Sequence, residues 1–230
     1  MVSKFKEQFH IIGSTPEGEA LLEESDELQA LMERYADSRD PQKERISGLR
    51  LLGAGKYSFT FAFNGELAVK ISGPRTGQMS HESKEDRRPE NLREQFAVLS
   101  ALRNHNRLQP NDITVPEQHF VAHNPHDNFV LVQELMNGWI PLGERAEILY
   151  RDRQDEEAAR AEASKWTKAM WTRVRDGLEG FELAHRINDL YSPESPKLHF
   201  GNILVPETAP LDDNTPLCVI DQPKIKDKNL

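Results

Sequence analysis

Hydrophobic positions along the chain switch between helical and strand periods, and the switches divide it. Over residues 14–38, Leu21, Leu28, Leu31, Met32 and Tyr35 recur at helical spacing on one side. Ser14 and Thr15 are capping candidates, Pro16 suits a first helical turn, and Glu17 lies where a capping box from Ser14 would need it. One packing helix is expected there, broken by the polar stretch 38–46 with its Asp40-Pro41 step. From Gly48 the period becomes that of strands. Two apolar runs, Phe59 to Phe63 and Glu66 to Ser72, flank Asn64-Gly65, a strong hairpin signal because both residues tolerate the positive φ of a tight turn. In the second arm Leu67, Val69 and Ile71 share one face, and Ala68 and Lys70 share the other.

Residues 73–91 are charged and rich in Gly and Pro, which predicts a connection. A helix is expected over roughly 90–104, with Leu92, Phe96, Leu99 and Leu102 as its apolar positions. Two strands are expected at 113–121 and 129–135, joined by a loop, with Asn137-Gly138 as the following break. His119, His123 and His126 raise a metal reading, but Pro125 separates the last two and solvated loop histidines are the expectation. Residues 153–187 are charged and helix-prone, with Trp166, Met170, Trp171, Val174, Leu178 and Phe181 forming an apolar stripe. Near the end, the apolar runs 203–205 and 217–220 flank a Pro-, Asp- and Asn-rich loop and read as an antiparallel pair. Such a pair would bring Asn202 and Asp221 to one end, an amide oxygen beside a carboxylate, which suits a hard cation such as Mg²⁺.

Composition narrows the class. The 230 residues suffice for one sizeable domain or two lobes, and hydrophobic residues at 37% with charged ones at 29% suit a globular chain. No apolar run approaches the ~20 residues of a membrane span. The N-terminus lacks the long apolar stretch of a signal peptide, so a cytoplasmic protein with no membrane partner is expected. A formal charge of −9 argues against a surface devoted to nucleic acid. Cys218 is the single cysteine, which excludes an intramolecular disulfide and a multi-cysteine zinc site; in its apolar run it is expected to be a small core residue.

Several of these parts, in order, resemble the protein-kinase-like superfamily over roughly residues 48–223. Gly53-Ala54-Gly55-Lys56-Tyr57-Ser58 looks like a glycine-rich loop, with Ser58 where a third glycine often stands. Ala68-Val69-Lys70 resembles the strand bearing the phosphate-binding lysine, and Glu94, or else Glu90, is the candidate helix carboxylate that pairs with it. Leu131-Val132-Gln133-Glu134-Leu135-Met136 looks like the hinge, with Gln133 as gatekeeper and the backbones of Glu134 and Met136 toward adenine. Leu198-His199-Phe200-Gly201-Asn202-Ile203-Leu204 resembles the catalytic loop of small atypical kinases, and Val219-Ile220-Asp221-Gln222-Pro223 stands in for the Asp-Phe-Gly element. The set is similar to the short protein kinases of lytic bacteriophages, and also close to small-molecule and lipopolysaccharide kinases.

The resemblance implies an α+β, two-lobed kinase-like fold: an N-terminal helical extension at 1–47, an antiparallel-sheet N-lobe at 48–136 and a reduced helical C-lobe at 137–230. It implies ATP and Mg²⁺ (or Mn²⁺) as cofactors, with Asn202 and Asp221 as metal ligands, and a protein substrate or partner such as a host protein. One departure matters. Lys197 occupies the position of the catalytic aspartate, and a protonated ammonium has no lone pair to accept the proton of the attacking hydroxyl. It could instead stabilise charge on the transferring phosphoryl group, with Asp189 or Glu194 supplying the carboxylate. Three readings follow: an ATP-dependent protein Ser/Thr kinase, a nucleotide-binding pseudokinase acting as scaffold or inhibitor, and a kinase fold that transfers AMP.

Overall fold

The computed structural model describes residues 8–36, 49–54, 59–72, 89–105, 108, 112–125, 128–151, 156–177 and 203–220. The chain divides into two units, Met1–Ser100 with Glu117–Asn137, and Ala101–Pro116 with Gly138–Leu230.

The first unit is built on a six-stranded sheet in the order β1-β6-β7-β4-β3-β2, every neighbouring pair antiparallel. Its strands are β1 (His10–Ser14), β2 (Arg50–Ala54), β3 (Phe59–Phe63), β4 (Leu67–Ser72), β6 (Gln118–His123) and β7 (Phe129–Glu134). The β3–β4 hairpin forms as its sequence demands: Asn64 and Gly65 take φ of 51° and 74° at the turn. Strand alternation then sorts β4. Leu67, Val69 and Ile71 are buried in a cluster with Phe61, Phe63, Phe120, Val130 and Val132. Leu131, the ladder partner of Lys70, belongs to the cluster on the opposite face.

Each face is covered by helix. The segment expected to be one helix over 14–38 instead holds two helices, α1 (Pro16–Glu24) and α2 (Asp26–Ala36), and its first residue, Ser14, ends β1. Thr15, not Ser14, is the N-cap of α1, its Oγ1 accepting from Gly18 N at 3.1 Å. Ser25 breaks the run because it serves both helices. Its N–H closes α1 onto Leu21 O at 3.1 Å, and its Oγ accepts from Leu28 N at the start of α2 at 3.2 Å. Leu22, Leu28, Leu31 and Met32 pack into the Val69 face. The helix α3 (Pro89–Arg103) covers the other face, Leu92 and Phe96 meeting Val121, Phe129 and Leu131.

Irregularities in the ladder dock these helices. Between β6 and β7 the register slips at His119, whose carbonyl accepts from Thr15 N at 2.9 Å. Gly18 sits so close that a Cβ there would lie 2.0 Å from the same oxygen, which requires glycine for the approach of α1 to β6.

The second unit holds a four-stranded sheet in the order β5-β10-β9-β8: β5 (Ile113–Thr114), β8 (Trp139–Pro141), β9 (Ile203–Pro206) and β10 (Leu217–Val219). Only β5 and β10 run parallel. The expected strand 113–121 is therefore split, its first residues in this sheet as β5 and the rest in the other as β6. The helix α4 (Leu142–Tyr150) packs on β8, β9 and α5 (Glu156–Gly177). Met170 and Val174 of the expected stripe are buried, as is Cys218; Leu178 and Phe181 lie outside the described residues. No helix among the described residues is long and apolar enough to cross a membrane.

Candidate functional site

Lys70 stands on β4, an inner strand, between β3 and β7. Its ladder partners are Thr60 and Leu131, and those of Ala68 are Ala62 and Gln133. Residues opposite one another on an antiparallel ladder project to the same face. Lys70 therefore lies on the face that α3 covers, with small residues, Ala62 and Ala68, one step along. Lys70 is half-buried while Ala68 is 4% exposed. Within this unit the sheet thus has a half-buried lysine beside two small residues, Ala62 and Ala68.

The segment leaving β7 is fixed by hydrogen bonds to its neighbours. Glu134 N donates to Glu117 O at 2.8 Å, and Glu117 N donates back to the Glu134 carboxylate at 3.0 Å. Leu135 N donates to Glu66 O at 2.7 Å, and Asn137 Nδ2 donates to Gly65 O at 2.7 Å. The post-strand backbone is tied to the turn of the β3–β4 hairpin. The Met136 N–H between these ties makes no hydrogen bond among the described residues. Met136 is a half-buried residue on a backbone held at both sides.

Gly53 is the exposed penultimate residue of the edge strand β2, with nothing within 4 Å of a Cβ placed on it. Glu94 lies on an exposed position of α3, as does Glu90. Neither Lys70 nor Glu94 lacks an interaction partner. Gly55, Ser58, Lys197, Asn202 and Asp221 lie outside the described residues, and so do Asp189 and Glu194.

In the second unit the expected antiparallel pair is present, with Val219 opposite Ile203 and Cys218 opposite Leu204. Sequence reasoning missed what holds it. Arg145 of α4 donates from Nε and Nη2 to Ala209 O at 3.1 and 2.9 Å, and Arg173 of α5 donates to Thr215 O at 2.9 Å. The buried Thr215 hydroxyl donates to Pro210 O at 2.6 Å and accepts from Asp212 N at 2.8 Å. Asp212-Asp213-Asn214-Thr215 carried a turn signal; the two arginines carried none, since each acts about 40 to 65 residues away in sequence.

The histidine expectation is corrected in part. His123 is not a loop residue but the last residue of β6, opposite His10 and Phe129, and is 9% exposed. His119 is half-buried at the β6 irregularity, and His126 lies outside the described residues. Among the described residues no group of three His, Cys, Asp or Glu side chains could hold a metal ion.

No protein-family model and no curated protein matches this sequence. Among solved structures the chain is similar to the GDP and kanamycin complex of APH(2″)-IIia. The identity is 12% and the TM-score 0.33, over 82% of this chain and 71% of that one. A likeness at that level assigns no family.

Proposed function

We propose that this chain is an ATP-dependent phosphotransferase of the protein-kinase-like type, with a protein Ser/Thr hydroxyl as the acceptor. The observation that carries the reading is Lys70, half-buried on an inner strand beside Ala68 and across the ladder from the strand that ends at Glu134. A lysine so held is a point charge with three donors, suited to the α- and β-phosphates of a nucleotide whose base lies along Ala62 and Ala68. The Met136 N–H supplies an edge donor for that base. Glu94 on α3 is the carboxylate that would orient Lys70.

ATP supplies the transferable phosphoryl group when bound, and Mg²⁺ held by Asn202 and Asp221 would neutralise its charge. In the transfer the hydroxyl oxygen of the acceptor bonds to the γ-phosphorus, the bond to the β-γ bridging oxygen breaks, and the hydroxyl proton leaves to a base. Lys197 cannot take that proton while charged, so in this reading it faces the transferring phosphoryl and a carboxylate such as Asp189 or Glu194 accepts the proton. The acidic chain, at −9, would meet basic surfaces of its protein partner with an on-rate that falls as salt rises.

Lys197 also supports a second reading, a pseudokinase that binds nucleotide and acts as a scaffold. One experiment separates the two: incubation with γ-labelled ATP and Mg²⁺ or Mn²⁺, with intact-mass analysis of the chain and of added basic proteins. Transfer of phosphate by the wild type, lost in Lys70→Met and Asp221→Ala, supports the kinase. An inert wild type that gains transfer on Lys197→Asp supports the pseudokinase.

A further inference from the structure

The first strand of the chain reaches the helix that faces Lys70. In the β1–β6 ladder Ile11 is opposite Ala122 and Gly13 is opposite Val121, so Ile12 is an extra residue, a bulge. Bulges re-aim the residue they carry, and Ile12 packs against the cluster of Leu92, Phe96, Val121, Phe129 and Leu131. Its carbonyl accepts from Arg93 Nε of α3 at 2.9 Å. One residue on, a Cβ at Gly13 would lie 2.9 Å from Phe96 Cδ1 and 3.3 Å from Val121 Cγ1, so the α3 ring rests directly on the β1 backbone. Leu92 and Phe96 on the buried side of α3 and Arg93 on its exposed side thus engage β1 by an apolar contact, a close backbone approach and a charged hydrogen bond. Beneath them sits Leu131, the ladder partner of Lys70.

We propose that β1 is a built-in brace for α3, and that Arg93, through the Ile12 carbonyl, is a positioning residue for nucleotide engagement at Lys70. The inference rests on the phosphotransferase reading and adds to it a positioning contact in cis. The carboxylate adjacent to Arg93 in sequence is Glu94, so a rotation of α3 released from Ile12 would displace that carboxylate as well. A charge-assisted hydrogen bond from an exposed guanidinium to a carbonyl biases such a helix, and lysine, with three rotatable donors in place of a rigid fork, can restore only part of it.

The test measures the affinity of a fluorescent ATP analogue with Mg²⁺, hydrogen exchange across α3, and thermal unfolding in the full chain, for wild type, Arg93→Ala, Arg93→Lys and the half-buried α5 control Thr172→Ala. The expected result is faster exchange in α3 and roughly three- to tenfold weaker nucleotide binding in Arg93→Ala. Arg93→Lys falls between, Thr172→Ala matches wild type, and the unfolding midpoint of Arg93→Ala stays within a few degrees of wild type. Nucleotide bound equally by wild type and Arg93→Ala would overturn this inference and leave the functional reading standing. A wild type that binds no nucleotide would overturn both. Weaker binding that merely follows a large fall in unfolding midpoint would show a general loss of structure and overturn the positioning role.

Discussion

The two sheets of this protein are held by different physics. The six-stranded sheet is covered on both faces by apolar contacts, with α1 and α2 on the Val69 side and α3 on the Leu131 side. Its β3–β4 hairpin closes with a three-residue connection, 64–66, in which Asn64 and Gly65 take the positive φ that their own sequence specifies. The four-stranded sheet has strands of two to four residues. Its β9–β10 pair closes over a long loop that Arg145, Arg173 and Thr215 hold by hydrogen bonds to carbonyls. A short primed turn makes register a local property. A long loop leaves register to be set by partners distant in sequence, so Ile203 opposite Val219 depends on side chains of α4 and α5.

That contrast makes ranked predictions. Phe120→Ala removes a fully buried ring from the larger sheet and should cost about 3–5 kcal/mol in denaturant unfolding. A cost below about 1 kcal/mol would mean that the apolar sandwich does not hold this unit. Gly18→Ala drives a methyl into the His119 carbonyl and should cost about 3 kcal/mol as α1 lifts from β6. Thr215→Val keeps the shape but leaves Asp212 N–H and Pro210 C=O unpaired, and should cost about 2 kcal/mol. Its hydrogen exchange should rise at 207–216 and in β9 and β10, while the β3–β4 hairpin is unchanged; a uniform rise would erase the contrast. Gly65→Ala places a side chain at φ 74° and should cost only about 1 kcal/mol, read as a small fall in unfolding midpoint.

Much of the fold was legible where the signal is local. The Asn64-Gly65 hairpin, the face of β4 that carries Lys70, the helix at 89–103 and the pairing of 203–206 with 217–219 all follow from short patterns. The failures have physical causes. Ser25 reads as an ordinary polar position in a helical period, yet its hydroxyl can cap a second helix, and that turned one helix into two. His10 to Ser14 became a strand because β6 offered an edge to pair with, a tertiary opportunity that no local pattern announces. Within 113–121 the apolar pattern is interrupted by Pro116 and Glu117, and it is there, between Thr114 and Gln118, that the chain leaves one sheet and enters the other; a single strand over the whole stretch overlooks the break that the proline signals. His123 was assigned to the loop from its proline neighbourhood, but the turn begins one residue later, at Asn124, whose N–H and side chain close on Asn128.

The candidate site was legible in proportion to the same rule. Lys70 and Ala68 lie on a strand whose register with β3 the hairpin signal sets, and Met136 follows β7, which a separate apolar run announces. Arg93 went unnoticed because its role depends on a bulge at Ile12, in a strand that no local pattern at residues 10–13 announced. Asn202 and Asp221 flank a strand pair whose register is now defined, and their part in the chemistry belongs to the proposal.

The most direct test of the account is calorimetric titration of ATP with Mg²⁺ into wild type and Lys70→Met. The account predicts saturable one-to-one binding by the wild type and at least about tenfold weaker binding by the variant, the loss expected for a charged donor on phosphate. Equal affinity in the two proteins, or no binding by the wild type, would contradict it.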